Sequence, residues 1–173
     1  MPDKQDLLAE TLGGGHLVIL YQPIVEATTS APRAAEVLAR WHDASGELRG
    51  APWIFERIAH DDELLRHLDR QVLTQLVQDR SQFPELLRST ISINRDAATL
   101  SPRDVDTIVE VTAQQRDAPL AIELWEQLSD EQLAGMPDLA PALADAGIEL
   151  WHDDFGTGQR SLAHLSGIQS SVV

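Results

Sequence analysis

"TISIN", Thr90–Asn94, is the stretch on which the fold turns. Its β-branched residues alternate with polar ones, the period-two pattern of a strand. What flanks it decides how that strand pairs. Upstream, "WIFERIAHDDELLRHLDRQVLTQLVQDR" repeats apolar residues every three or four positions, as at Leu65, Leu68, Val72, Leu73 and Leu76. That spacing predicts an amphipathic helix, with a break near His60–Asp62. Downstream, "SPRDVDTIVEVTAQQ" opens with Ser101 at an N-cap position and Pro102 at the first helical position, so a second helix follows. Strands that alternate with helices build a largely parallel sheet covered by helices.

The same alternation continues outward. "PLAIELW" and "IELWHDDF" read as strands. Between them, "SDEQLAGMPDLAPALADAG" is helical, capped by Ser129 with Asp130 and Glu131 in its first turn and Gly147 at its end. Pro137 and Pro141 divide it into two short helices, and "SLAHLSG" is a last one. Toward the N-terminus, "HLVILYQPIV" (His16–Val25) and "AAEVLARW" (Ala34–Trp41) are strands joined by the turn "ATTSAPR", close enough to pair antiparallel. "HDASGELRGAP" reads as a loop. Gly13–Gly15 follow a short polar helix-like segment and read as a flexible joint. They lack the strand before and the helix after that a phosphate loop needs. The expected organisation is a tail over residues 1–15 and one domain over 16–173.

The fold class is therefore α/β. Without a dinucleotide fingerprint, a TIM-type (β/α) barrel is a better expectation than a doubly wound sheet. The chain supplies about five strands where a closed barrel has about eight, so the barrel is incomplete and its first strand antiparallel. An open barrel leaves an unpaired edge. A second copy of the chain, as a homodimer, or another partner is expected over that side.

Composition narrows the function. The 173 residues carry a formal net charge of −15 with a pI near 4.6. Such a surface repels polyanions, so nucleic acid polymers are not expected partners. No apolar run is long enough to span a membrane, and the N-terminus lacks the apolar core of a signal peptide. The absence of cysteine excludes disulfides and thiolate chemistry and suits a cytoplasmic location.

In a (β/α) barrel the chemistry sits at the C-terminal ends of the strands. Successive strands bring Glu36, Asn94, Glu123 and the pair Asp153–Asp154 to that end. Each alone has an ordinary explanation: Asp154 as a turn former or N-cap, Asn94 as an Asx turn. Glu36 is harder to dismiss, because a carboxylate in an apolar strand is costly unless paired or metal-bound. Together they form an all-oxygen, hard donor set suited to Mg2+ or Mn2+. Two such ions about 4 Å apart can clamp a phosphodiester.

"YQPIV" (Tyr21–Val25), "EVLARW" (Glu36–Trp41), "ISIN" (Ile91–Asn94), "IELWE" (Ile122–Glu126) and "DDFGTG" (Asp153–Gly158) occur in the order and rough spacing of the EAL domain, which this chain resembles from about Leu17 onward. That family hydrolyses cyclic di-GMP to a linear dinucleotide. The resemblance implies that Glu36, Asn94, Glu123, Asp153 and Asp154 are metal ligands, with the two aspartates at the catalytic centre. It implies that Gln22, Leu38 and Arg40 bind the dinucleotide, and that Glu126 holds the loop after "DDFGTG", which links metal binding to dimerisation. Several positions depart from the family pattern. Trp125 replaces a small Thr, Gln159 and Arg160 replace the usual residues of the regulatory loop, and "AHDDELL" stands where "AEETGLI" is usual. The Lys and Glu that later strands of the family carry are not in this sequence. The implied outcome is impaired or absent hydrolysis by this chain, with a catalytically inactive module that binds cyclic di-GMP or a protein as the alternative. A protein kinase is excluded despite "DFG", since no Gly-rich loop or "HRD" is present. A helical His-Asp phosphohydrolase is excluded because His42–Asp43 and His152–Asp153 border strands.

Overall fold

The structure, a computed structural model, describes residues 5–83, 85, 88–95, 100–112, 115, 118–124, 141–152 and 171–172. Strands β1 (His16–Val25) and β2 (Pro32–His42) form the expected antiparallel hairpin, in register from His16 opposite His42 to Val25 opposite Pro32. Beyond β2 the chain folds back into β3 (Leu48–Arg49), which pairs antiparallel with the end of β2. The sequence pattern reads this segment as a loop, because a two-residue strand has no period to detect. Asp43 organises the turn. Its Oδ1 accepts from the Ser45 amide, the Ser45 hydroxyl and the Glu47 amide, and its Oδ2 from Arg49 Nε at 2.8 Å. Those hydrogen bonds, the Ser45 hydroxyl's first, hold its carboxyl well below the usual carboxylate range.

Helices α2 (Ala51–Ile58) and α3 (Asp62–Gln82) follow. The break predicted near His60–Asp62 is the start of α3: the Asp61 side chain accepts the amides of Glu63 and Leu64 as an N-cap. Next come β4 (Thr90–Arg95), α4 (Pro102–Thr112), β5 (Leu120–Leu124), β6 (Ile148–His152) and β7 (Ser171–Val172). β2, β4, β5, β6 and β7 are parallel neighbours in chain order, with β1 outside β2. Each new strand adds on the same side. A doubly wound sheet would reverse direction at a switch point, so this order is that of a barrel wall. Among the described residues the wall does not close. β7 is the one strand of this wall that the sequence pattern does not reveal, again because it is two residues long.

Strand alternation gives the wall two faces. Outward, Ile19, Val37, Ile91, Ile93, Ile122, Leu124 and Leu150 pack in one cluster with Leu73 and Leu76 of α3 and Val105 and Ile108 of α4. β5 is buried along its whole length, as expected for a strand covered on both sides. Two polar ties fix the helical layer to the wall. Tyr21 donates its hydroxyl to Asp79 Oδ2 at 2.9 Å, and buried Arg80 donates to the Pro119 carbonyl at 2.6 Å.

The N-terminal segment differs from a tail. α1 (Gln5–Thr11) places Leu8, fully buried, together with Leu12 into a second cluster with Trp41, Ile54, Ile58, Leu64 and Leu68. The glycines after it are a fixed turn rather than a joint. All three have positive φ, and Gly14 accepts the Trp41 indole N–H at 2.9 Å. A Cβ on Gly15 would overlap the His42 carbonyl oxygen. The boundary expected at residue 16 therefore leaves out a helix that packs into the core.

Candidate functional site

The inner face of the wall gathers several of the candidate polar residues. Register places Gln22 opposite Glu36, Glu36 beside Ser92, and Asn94 beside Glu123. Neighbours in register share a face, so β1, β2, β4 and β5 bring these side chains together. Asn94 donates Nδ2 to Glu36 Oε1 at 2.5 Å, bridging β2 and β4. Glu123 is 3% exposed. A buried carboxylate is tolerated where it has a partner or a cation.

Two inner-face residues that the sequence reading did not single out complete the floor. Ser92 is fully buried and its hydroxyl has no hydrogen-bond partner among the described residues. Trp151, beside Glu123 in register, is buried in a cluster with Ala34 and Ala121, and its indole N–H donates to Glu149 Oε2 at 2.8 Å. The signal for both was available: positions 92 and 94 share a face, as do 149 and 151.

Two carboxylates, a side-chain amide and an unpartnered buried hydroxyl thus converge from adjacent strands. Every donor is a hard oxygen ligand, or carries one in the case of Asn94, so the set fits a divalent cation of the Mg2+, Mn2+ or Ca2+ kind. An orphaned hydroxyl in a buried site is what an additional ligand would satisfy. Among the described residues no group of three His, Cys, Asp or Glu side chains comes together. Asp153 and Asp154, which follow directly after β6, lie outside the described residues, as do Glu126, Trp125, Gln159 and Arg160.

The expected nucleotide contacts extend along β2. Leu38 lies on the same face as Glu36 and opposite Leu20, which is 41% exposed, so the two leucines form an open apolar strip. Arg40 lies further along that face, and its Nη1 donates to the Ala39 carbonyl at 2.8 Å. Its guanidinium is thus engaged locally. No helix among the described residues is long and apolar enough to cross a membrane.

The EAL domain family model matches residues 5–173. The chain is 29% identical over 98% of its length to the Escherichia coli protein named probable cyclic di-GMP phosphodiesterase PdeG, and covers 34% of it. It is 26% identical to the PaMucR phosphodiesterase solved as a c-di-GMP complex, with a TM-score of 0.68 over 90% of this chain and 68% of that one. The Bacillus subtilis YkuI protein, solved with c-di-GMP and calcium, has the same fold at a TM-score of 0.70 and 20% identity, over 95% of this chain and 42% of that one. The chain spans about a third of the length of PdeG.

Proposed function

Because the chain belongs to the EAL domain family, we propose that its inner sheet face is a divalent-metal centre that binds cyclic di-GMP, and that its chemistry is phosphodiester hydrolysis of low turnover. The observation that carries this reading is the Asn94–Glu36 bridge in register with buried Glu123. In the proposal Glu36, Asn94 and Glu123 hold Mg2+ or Mn2+ together with Asp153 and Asp154. The metal would supply Lewis acidity and neutralise charge on the phosphodiester.

The chain's own residues do the rest. The Leu20–Leu38 strip offers an apolar face to a guanine base, and Gln22 lies beside Glu36 to hydrogen-bond it. Arg40 reaches a phosphate by exchanging the Ala39 carbonyl for a stronger, charge-assisted partner. The Trp151 ring excludes water from the floor beneath Glu123. Low turnover in the proposal rests on Trp125, which follows β5 directly in the sequence and replaces the small Thr of the family pattern with a bulky ring. A cytoplasmic location and a homodimer or other protein partner belong to the same proposal.

Calorimetric titration of cyclic di-GMP in Mn2+ and in EDTA tests the site, with chromatography of the products alongside. Metal-dependent binding that is lost in Glu123→Gln, with slow formation of the linear dinucleotide, is the expected result. Binding that ignores both metal and Glu123 refutes the site, and rapid hydrolysis refutes the low turnover.

A further inference from the structure

β4 has a second polar environment on its other side. Arg95 follows Asn94 directly but faces the helical layer, where it lines a cavity of about 370 Å3 between α1, α3 and α4. Arg66 and Arg70 of α3 and Arg103 of α4 line it too. The whole chain has 13 Lys and Arg residues against 28 acids, whereas the described lining of this cavity sets four arginines against the three carboxylates Glu63, Asp69 and Asp104, a small local excess of positive charge.

The carboxylates nearby do not use up this charge. Asp69 pairs with Arg95. Asp104 accepts the amide and hydroxyl of Ser101. Arg70 reaches only Glu110, at 3.9 Å. Arg66 and Arg103 make no ion pair among the described residues, although Glu63 lines the same cavity. The most telling group is Arg95 itself. It is 7% exposed, and its Nε–H has no hydrogen-bond partner among the described residues. A buried guanidinium N–H without an acceptor is rare, and the Nε edge of arginine is suited to an oxyanion. The first turns of α4, carrying Arg103, Asp104 and Thr107, also border the cavity, and a helix N-terminus adds positive potential.

Among the described residues that line it, Leu7 is the one aliphatic residue. The cavity volume falls within the range of small-molecule sites, and the described lining favours an anion through its arginines. We propose that this cavity binds a small phosphate-bearing anion, with Arg95 as the buried donor and Arg66 and Arg103 as the outer grip. It is separate from the inner-face site, and the two lie on opposite sides of one strand.

The test is thermal denaturation of the chain titrated with inorganic phosphate in EDTA, where the metal-free carboxylates of the inner face would repel the probe. A saturable rise in Tm beyond that given by NaCl of equal ionic strength is expected. The half-saturating concentration should rise at least ~10-fold in the double variant Arg66→Gln, Arg103→Gln. Both residues are exposed, so their loss leaves the core intact. No rise beyond the NaCl control, or an equal response in the double variant, overturns the site. A tighter response to citrate than to phosphate overturns the phosphate assignment.

Discussion

Tyr21 shows how one side chain serves the site from behind. It lies on the outer face of β1, next to inner-facing Gln22, and its hydroxyl is tied to Asp79 of α3. Burial first, then the Asp79 hydrogen bond, push its pKa well above the ordinary value near 10. Tyr21→Phe should cost about 1 kcal/mol at neutral pH, the net worth of one hydrogen bond, measured by urea unfolding. The pH dependence has a definite sign. A tyrosine whose folded pKa is raised stabilises fully below its unfolded value near pH 10, and that stability is lost as pH rises toward the folded value. Wild type should therefore lose its advantage over Tyr21→Phe above about pH 10. Asn94 is the corresponding residue on the inner face. Asn94→Ala removes the Glu36 bridge and one candidate ligand, so Mn2+ affinity should fall by an order of magnitude or more in a calorimetric titration.

Elements were legible where their period was long enough to see. α3 announced itself through Leu65, Leu68, Val72, Leu73 and Leu76, of which Leu68, Leu73 and Leu76 are buried and Leu65 and Val72 pack partly buried against the core. β4 and β5 were visible as Ile91–Ile93 and Leu120–Ile122, which lie in the outer core. β3 and β7 were not, since two residues carry no pattern. α1 was legible as a helix-like segment, but its packing was not. It buries Leu8, with Leu12 just beyond it, and the glycines that follow suggested freedom where there is close packing. In the site, the acids and Asn94 could be read because a charged or amide group at a strand end is conspicuous. Ser92 and Trp151 lay within reach of the same alternation but went unread, because serine and tryptophan in a strand look like filler until a register is known. The packing of α1 gives two predictions. Leu8→Ala should cost about 2–4 kcal/mol, as for a buried leucine, rather than the near-zero of a tail residue. Gly15→Ala should cost at least ~1–2 kcal/mol through both its positive φ and the His42 carbonyl. Urea unfolding measures both. The β2–β3 turn gives a third. Because the Asp43 carboxyl is held low, its contribution is present above the ordinary value near pH 4 and fades as pH falls below it. The Tm of Asp43→Ala should therefore drop less steeply than wild type between about pH 5 and pH 2.

At the scale of the molecule, the acidic balance and the carboxylate face act together. A net charge of −15 opposes compaction, so moderate salt should raise Tm by screening. A divalent cation should raise it further and specifically. At a hundredfold excess over its dissociation constant, a ligand of the folded state adds about 2.7 kcal/mol. Mn2+ should therefore raise Tm in wild type and much less in Asp153→Asn, compared at constant ionic strength. Equal shifts in both would show that Asp153 takes no part in holding the ion. The bridge between Glu36 and Asn94 has a further consequence, which concerns time. The two residues are 58 positions apart, and the chain between them includes α2 and α3. Parallel strands cannot meet until the crossover between them has formed, and such long-range pairings come late and slowly in folding. No local fragment of this chain can hold the donor set together. During folding the acids of β2 and β5 stay scattered and solvated until the wall assembles, so the capacity to capture a cation should appear last and all at once.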